Sequence, residues 1–101
     1  MPRTLSVSRT TVSRGAEPQY LTALGELASC LRARGESLWL FRHPTLPGTF
    51  LEFSESPSPE RHRSRVARSE EEAALEGRLR TLAAYAPDAW ILWEEVPLER
   101  R

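Results

Sequence analysis

The sequence contains no lysine and no asparagine, and its one cysteine is Cys30. A single cysteine excludes an intramolecular disulfide, so the chain does not need an oxidising compartment. No apolar run approaches the roughly 18 residues that a membrane-spanning helix requires. Residues 1–15 are polar and lack the apolar segment of a signal peptide. These absences predict a cytoplasmic protein with no membrane partner.

The charges balance, since fourteen arginines oppose fourteen acidic residues in a chain of 101 residues. Zero net charge argues against a general nucleic-acid binder, which needs a basic excess to neutralise phosphates. A protein without net charge is also prone to associate with itself. The length and the 40% of hydrophobic residues suit a single domain over residues 1–101 with one small core.

The first half of the chain shows two strand patterns on either side of a turn, preceded by a strand and a helix. β-branched residues predict a strand over residues 4–13. Apolar residues at helical spacing predict a helix between Pro18, in its first turn, and Gly35, at its C-cap. Residues 37–43 and 49–54 are predicted as strands, and their short connection with two prolines and a glycine makes them an antiparallel hairpin.

The second half adds one helix and one strand. Ser69-Glu70-Glu71-Glu72 matches a capping box at the start of a helix that Pro87 is expected to end. Residues 60–68 either extend this helix or form a separate turn. Residues 89–96 are predicted as the last strand. The resulting β-α-β-β-α-β order is that of a ferredoxin-like α+β fold, a four-stranded antiparallel sheet with two helices on one face.

The second and fourth strands carry large apolar side chains on both faces, although two helices can cover only one face of the sheet. An exposed surface containing Trp39, Phe41 and Trp93 would be an interface. A second copy of the chain, packed sheet against sheet in a two-fold homodimer, would cover this surface and leave room for a pocket between the sheets.

This element order, the doubly apolar strands with Trp39 and Trp93, and the strand Thr49-Phe50-Leu51-Glu52-Phe53 before a proline-rich link resemble the dimeric α+β barrel superfamily. Within it, the chain is similar to the antibiotic-biosynthesis-monooxygenase-like group. The resemblance implies a dimeric α+β barrel and a cofactor-independent monooxygenase acting on a small aromatic or polyketide-type substrate. Haem-degrading members use an Asn, Trp and His constellation, which a chain without asparagine cannot provide.

Glu52 and His43 are the candidate catalytic residues. Alternation puts Glu52 on one strand face with Phe50 and Ser54. If this face lines the cavity between the sheets, the carboxylate could take a proton from a phenol or an enol; otherwise it reaches solvent or pairs with an arginine. His43 is in phase with Phe41 at the end of its strand. It is either a base at the mouth of an aromatic pocket or a turn histidine bonded to the backbone.

Further side chains are candidates for substrate binding: Trp39, Phe41, Trp93, Tyr20 and His62. His62 lies in the run Arg61-His62-Arg63, which could contact an anionic ligand but ordinarily forms a solvated helix start. The spacing of the two histidines and Glu52 is not diagnostic of a metal site. No phosphate loop or dinucleotide fingerprint is present. Neither a metal nor a cofactor is therefore predicted.

Two other functions fit the same element order. The RNA-recognition motif shares it, but Phe50 and Phe53 are three residues apart and so lie on opposite faces, where they cannot form one stacking platform. No nucleic-acid partner is therefore predicted. A non-catalytic homodimer that binds a small apolar or aromatic ligand, or packs only against itself, stays open. An enzyme predicts a cavity onto which a carboxylate or histidine converges, whereas a structural dimer predicts a filled interface.

Overall fold

The computed structural model describes residues 2–63 and 69–99, which form an antiparallel sheet with two helices on one face. The predicted β-α-β-β-α-β order is confirmed, with the last strand divided in two. In chain order the elements are β1 (Thr4–Val12), α1 (Glu17–Ala33), β2 (Ser37–Arg42), β3 (Thr49–Ser56), α2 (Glu70–Leu82), β4 (Ala83–Tyr85) and β5 (Trp93–Glu94).

The sheet has the strand order β2-β3-β1-β4, and β5 pairs with β1 along the same edge as β4. All neighbouring strands are antiparallel. β1 pairs with β3 over almost its whole length, from Thr4 opposite Ser56 to Thr11 opposite Thr49. The element order and this pairing confirm the ferredoxin-like α+β fold class.

Helix α1 begins and ends close to the predicted residues. Pro18 lies in its first turn, where the missing N–H removes no helical hydrogen bond. At the other end Gly35 adopts a φ of +80°, a left-handed conformation that glycine enters without steric cost. The face of α1 that packs on the sheet and on α2 buries Tyr20, Ala23, Leu24, Leu27 and Leu31.

Helix α2 is capped by Ser69, whose hydroxyl accepts a 3.2 Å hydrogen bond from the N–H three residues later. This confirms the predicted cap. The helix ends at Leu82 and β4 follows at once, so the prediction that Pro87 ends the helix is wrong. The turn Pro59–Arg61 is separate from α2, and residues 64–68 lie outside the described residues.

The last strand is interrupted, whereas one strand over residues 89–96 is predicted. Both pieces pair with β1, but the chain advances eight residues from Tyr85 to Trp93 while its partners on β1 go back five. Residues 86–92 therefore lie between the two pieces, three residues more than continuous pairing with β1 would need. Pro87 lies in this loop and has no N–H to donate to a neighbouring strand. The turn that begins at Pro87 continues to residue 90 and takes up the first residues of the predicted strand, so the prediction of one strand over residues 89–96 is wrong.

The helices cover only one face of the sheet. Even-numbered side chains of β1 and β3 are buried beneath the helices, whereas odd-numbered ones point to the opposite face. We call this second face, which no described element covers, the outer face. Phe50 is buried beneath the helices and Phe53 is half-buried on the outer face, which confirms their predicted separation.

Neither described helix has the length and apolar character needed to cross a bilayer. Residues 2–63 and 69–99 also contain no group of three His, Cys, Asp or Glu side chains arranged to hold a metal ion. The cytoplasmic location and the lack of a cofactor stay predictions.

Candidate active site

Glu52 lies in the middle of β3 and points toward the helices. Its neighbours across the sheet are Ser8 on β1 and Leu40 on β2, and only 1% of its surface is exposed. A carboxylate withdrawn from water in this way needs hydrogen bonds or a cation in place of the solvent. The partners of Glu52 therefore define the site.

Both carboxylate oxygens of Glu52 are occupied. Oε2 accepts two hydrogen bonds of 2.7 Å, one from the Tyr20 hydroxyl on α1 and one from the Tyr85 hydroxyl on β4. Oε1 lies 3.1 Å from Nη2 of Arg63. The Tyr20 hydroxyl is also 3.0 Å from Oγ1 of Thr10. Because the Tyr20 hydrogen points to Glu52, Thr10 is the donor in this last contact.

Arg63 connects Glu52 to the second helix. Its Nε lies 3.0 Å from Oε1 of Glu76 on α2, and both side chains are buried. The planar guanidinium thus lies between two carboxylates, an arrangement that suits arginine better than lysine. Burial opposes the charge of Arg63, but the two carboxylates outweigh burial and raise the pKa of the guanidinium. We refer to Tyr20, Glu52, Arg63, Glu76 and Tyr85 as the buried cluster.

The two phenols of the buried cluster are protonated at neutral pH. Burial, followed by the charge of Glu52, raises the pKa of Tyr20 well above its ordinary value. Burial and the same carboxylate also raise the pKa of Tyr85. Both hydroxyls therefore act as hydrogen-bond donors toward an anion.

His62 lies beside the buried cluster, between the two central strands. Its Nε2 is 2.8 Å from Oγ of Ser6 on β1, and its Nδ1 is 2.7 Å from Oγ of Ser56 at the end of β3. Only 1% of the residue is exposed. The alternative of a solvated helix start is wrong at this position, because the serine hydroxyls provide a polar space for the ring beneath the helices.

Trp90 covers one side of the buried cluster at the edge of the sheet. Its ring stacks on Tyr85 with the centroids 5.3 Å apart. The guanidinium carbons of Arg63 and Arg80 each lie 5.4 Å from its centroid, where a cation interacts favourably with the indole face. Trp90 belongs to the loop between β4 and β5, so the cluster approaches the surface where the last strand is interrupted.

A second group of predicted site residues lies on the outer face. Trp39 and Phe41 of β2 are opposite Phe53 and Leu51 of β3. Phe41 meets Phe53 edge to face, with the ring centroids 5.3 Å apart. Trp93 on β5 exposes 57% of its surface. These side chains form an apolar surface across the sheet.

His43 lies in the turn between β2 and β3, at one end of the outer face. Its Nδ1 accepts hydrogen bonds of 3.2 and 2.9 Å from the N–H groups of Thr45 and Leu46. This is the backbone-bonded turn histidine of the two alternatives. The side chain also lines a hollow of about 360 Å³ on the outer face.

The predicted site residues therefore form two separate groups. Beneath the helices are Tyr20, Glu52 and His62, and on the outer face are His43, Trp39, Phe41 and Trp93. The sheet separates the two groups, because adjacent residues of a strand alternate between faces. On β2 the residue directly opposite Glu52 is Leu40, whereas Trp39 is opposite Phe53.

Three residues of the site are not predicted from the sequence: Arg63, Glu76 and Tyr85. For Arg63 a signal exists, because a glutamate in the middle of an apolar strand needs a cation and an arginine-rich run follows β3. Glu76 is four residues before Arg80 on the same helix. The sequence therefore suggests an ion pair between these two residues and gives no sign of the contact with Arg63. Tyr85 depends on β4, which the sequence pattern places within a helix.

Solved structures with the same fold include proteins from three bacteria. One is a conserved protein of unknown function from Bacteroides thetaiotaomicron VPI-5482, described as a "possible oxidoreductase". It superimposes with a TM-score of 0.69 at 15% identity, over 92% of this chain and 95% of its own. A "putative antibiotic biosynthesis monooxygenase" from Chloroflexus aurantiacus J-10-fl has a TM-score of 0.69 at 19% identity, over 100% of this chain and 97% of its own. Rv0793 from Mycobacterium tuberculosis has a TM-score of 0.68 at 17% identity, over 99% and 98%.

The chain shares its fold with the protein described as a "putative antibiotic biosynthesis monooxygenase". The predicted resemblance is thereby confirmed as far as the fold is concerned. The sequence matches no protein-family model and no curated protein. At identities of 15% to 19% the likeness establishes the fold alone, because proteins of one fold can differ in activity.

Proposed function

We propose that this protein is a cofactor-independent monooxygenase-like enzyme that oxidises a small aromatic or polyketide-type substrate carrying a phenol or an enol. One observation carries the proposal: the buried carboxylate of Glu52 accepts hydrogen bonds from two phenol hydroxyls on a single oxygen. A site that already holds two phenols in this way has the geometry to hold a substrate hydroxyl. Two proteins of the same fold are described as a "possible oxidoreductase" and a "putative antibiotic biosynthesis monooxygenase", and these descriptions support the proposal.

The substrate hydroxyl takes the place of the Tyr85 hydroxyl on Glu52. Tyr85 is half-buried and ends the three-residue strand β4, beside the loop that interrupts the last strand. It belongs to a short strand at the edge of the sheet, whereas Tyr20 lies in the 17-residue helix α1. Outward movement of the loop with Trp90 opens the buried cluster from the edge of the sheet. Tyr20 stays in place as a substrate-binding residue.

Glu52 is the proton acceptor in this reaction. It removes the hydroxyl proton of the phenol or enol, and the hydroxyl of Tyr20 and the charge of Arg63 stabilise the resulting anion. The anion reacts with dioxygen at a ring carbon that carries hydrogen, forming a C–O bond and a peroxide. Glu52 returns the proton to the peroxide. Loss of water then breaks the O–O bond and the remaining C–H bond and leaves a carbonyl group.

The electrons of this reaction all come from the substrate. Counted from the keto form, one CH₂ group and one O₂ become one C=O group and one water. No external reductant takes part, in keeping with the prediction of an enzyme without a cofactor. His62 lies next to the buried cluster with both ring nitrogens close to serine hydroxyls, and we assign it a positioning role there.

We also propose that two copies of the chain form a homodimer through their outer faces. Trp39, Phe41 and Trp93 are 46% to 59% exposed, and monomeric soluble proteins rarely present such an apolar surface. The alternative function, a homodimer without catalysis that binds a small ligand or only itself, rests on the same surface. The two functions differ in their need for the buried cluster, which only the enzyme uses.

Oxygen uptake with a hydroxylated anthrone, a ketone with a phenolic enol form, tests the proposed reaction. The protein should consume one O₂ for each anthrone converted. Glu52→Gln should lower kcat by about 10² to 10⁴-fold, the usual contribution of a general base. Glu55→Gln is the matched control, because Glu55 lies on the same strand but on the outer face, where it pairs with Arg3. This control should leave the rate unchanged.

Circular dichroism establishes whether each variant is folded. A folded Glu52→Gln protein with the wild-type rate would remove Glu52 from the reaction. If Glu52→Gln does not fold, Tyr20→Phe provides the second test, because it removes one donor from the same oxygen and should also lower kcat. A wild-type protein that consumes no oxygen with hydroxylated anthrones or naphthols would favour the non-catalytic homodimer.

A further inference from the structure

We infer that the outer face carries a binding site for an aromatic carboxylate, centred on Arg9 and separate from the buried cluster. Two hollows, of about 360 and 320 Å³, lie on this face and share Arg9 and Leu51 in their lining. Together they form a groove that runs from Phe41 on β2, across β3 and β1, to Trp93 on β5. We call it the outer groove.

Arg9 is a cation in an apolar part of the outer face. It is opposite Leu51 on the central strand β1, with Val7 as the preceding outward side chain. Arg9 is exposed and forms no ion pair with any carboxylate of residues 2–63 and 69–99. That includes Asp88, which lines the smaller hollow. A guanidinium with apolar neighbours and no counter-ion is suited to bind an anion.

His43 supplies a second donor to the outer groove. Because its Nδ1 accepts the N–H groups of Thr45 and Leu46, the neutral ring carries its proton on Nε2 and offers a ligand only a donor. Arg42, which also lines the larger hollow, is paired with Glu17 at 3.0 Å. No described carboxylate lines this hollow, so its ionisable groups are all basic.

The walls of the outer groove suit a flat apolar body attached to the anionic group. Phe41, Pro44, Leu46 and Leu51 line the larger hollow, and Trp93 lines the smaller one. Exposed rings offer faces and edges for an aromatic ligand, and an arginine fork binds a carboxylate through two parallel hydrogen bonds. The larger hollow is near the lower end of the range of about 300–1,000 Å³ for small-molecule sites. Charge, size and walls together indicate a carboxylate with one or two aromatic rings.

The outer groove and Glu52 lie on opposite faces of the sheet, so this ligand site is independent of the proposed oxygenation. The proposed dimer is a further reason to expect an anion beside Arg9 in the outer groove. A second copy packed on the outer face would withdraw Arg9 from water, and a buried guanidinium without a partner is strongly unfavourable. A carboxylate held between the two copies supplies that partner.

Binding of 2-naphthoate, measured by isothermal titration calorimetry beside its neutral analogue 2-naphthamide, tests the site. We expect the carboxylate to bind at least about 10-fold more tightly than the amide, and Arg9→Gln to abolish this difference, because the charge-assisted bonds depend on Arg9. His43→Gln should weaken 2-naphthoate binding by a smaller factor. Arg14→Gln replaces an exposed arginine outside the outer groove and, as the matched control, should bind like the wild type.

Equal affinity of the wild type for the two probes, or an unchanged affinity for 2-naphthoate in Arg9→Gln, would overturn the inference. Arg9 is exposed, so circular dichroism should show the fold of this variant intact. If the protein binds 2-naphthoate more tightly than 2-naphthamide but consumes no oxygen, the result supports the ligand site and counts against the proposed enzyme. Oxygen uptake without charge-selective binding would count against the site alone.

Discussion

Arg63 and Glu52 form an ion pair almost completely withdrawn from water: Nη2 and Oε1 are 3.1 Å apart, and the side chains are 2% and 0% exposed. Withdrawing two charges from water costs several kcal/mol for each, which their attraction offsets only with good geometry and further hydrogen bonds. Glu76 and the hydroxyls of two tyrosines provide those contacts. Loss of one member therefore leaves the charges of the others buried without their partner.

Arg63→Met should lower the free energy of unfolding by about 3–5 kcal/mol, because it leaves Glu52 and Glu76 buried together without this cation. Urea denaturation followed by circular dichroism measures the change. Arg42→Met is the control: its pair with Glu17 leaves 60% of the arginine side chain exposed, so its loss should cost less than about 1 kcal/mol. Similar losses in the two variants would argue against a buried ion pair.

The absorbance of tyrosinate reports on the buried cluster alone, since Tyr20 and Tyr85 are the only two tyrosines of the chain. Both pKa values are raised by burial and by the charge of Glu52. The native protein should therefore show little tyrosinate at pH values just above 10, where the protein unfolded in guanidinium chloride is expected to titrate at about pH 10. A native midpoint near pH 10 for either phenol would contradict the geometry of the cluster.

The same raised pKa values make stability fall in alkali. Below about pH 10 the phenols are protonated in both the folded and the unfolded chain, and the contribution of Tyr20 and Tyr85 to the free energy of unfolding is fully present. Above it the unfolded chain releases protons that the folded chain keeps, so the free energy of unfolding should fall by up to about 1.4 kcal/mol per pH unit for each tyrosine. Urea denaturation at several pH values measures this slope. Tyr20→Phe should make it shallower, and an unchanged slope would exclude Tyr20 as its source.

Much of the fold is predicted because its signals are adjacent in the sequence. Pro18 and Gly35 are at the two ends of α1, and a turn rich in proline and glycine joins β2 to β3. Alternation also groups Glu52 correctly with Phe50. It does not decide which face the helices cover, because β2 is apolar on both of its faces.

The site is less predictable because its contacts join distant segments. Arg63 contacts Glu52 from the segment that follows β3. Tyr85 contacts it from β4, a strand too short to show a periodic pattern. The capping signal at Ser69 marks the start of α2, but Pro87 does not mark its end. Residues of β4 read as helix in composition, and pairing with β1 overrides that preference.

Gly48 should be the least replaceable glycine of the chain's turns. Its φ is +71°, and a Cβ there would clash with the carbonyl oxygen of Val12, while its own carbonyl accepts a 2.7 Å hydrogen bond from the Val12 N–H. Gly48→Ala should therefore cost more than Gly35→Ala, for which the left-handed φ of +80° alone predicts about 1–2 kcal/mol. Thermal unfolding of both variants measures the difference. Equal losses would indicate that the clash with Val12 is relieved by a small shift of the turn.

Trp39→Glu should separate the proposed dimer into monomers. Trp39 lies on the outer face and is 46% exposed, so a dimer through this face would bury two copies of the new carboxylate without partners. We expect its dissociation constant to rise at least about 100-fold, the size of effect found for central aromatic residues of interfaces. Sedimentation velocity measures the change. Leu98→Glu is the control, because Leu98 is 93% exposed and lies beyond β5. A monomeric wild type would contradict the dimer itself, and a Trp39→Glu protein as dimeric as Leu98→Glu would place the contact on another surface.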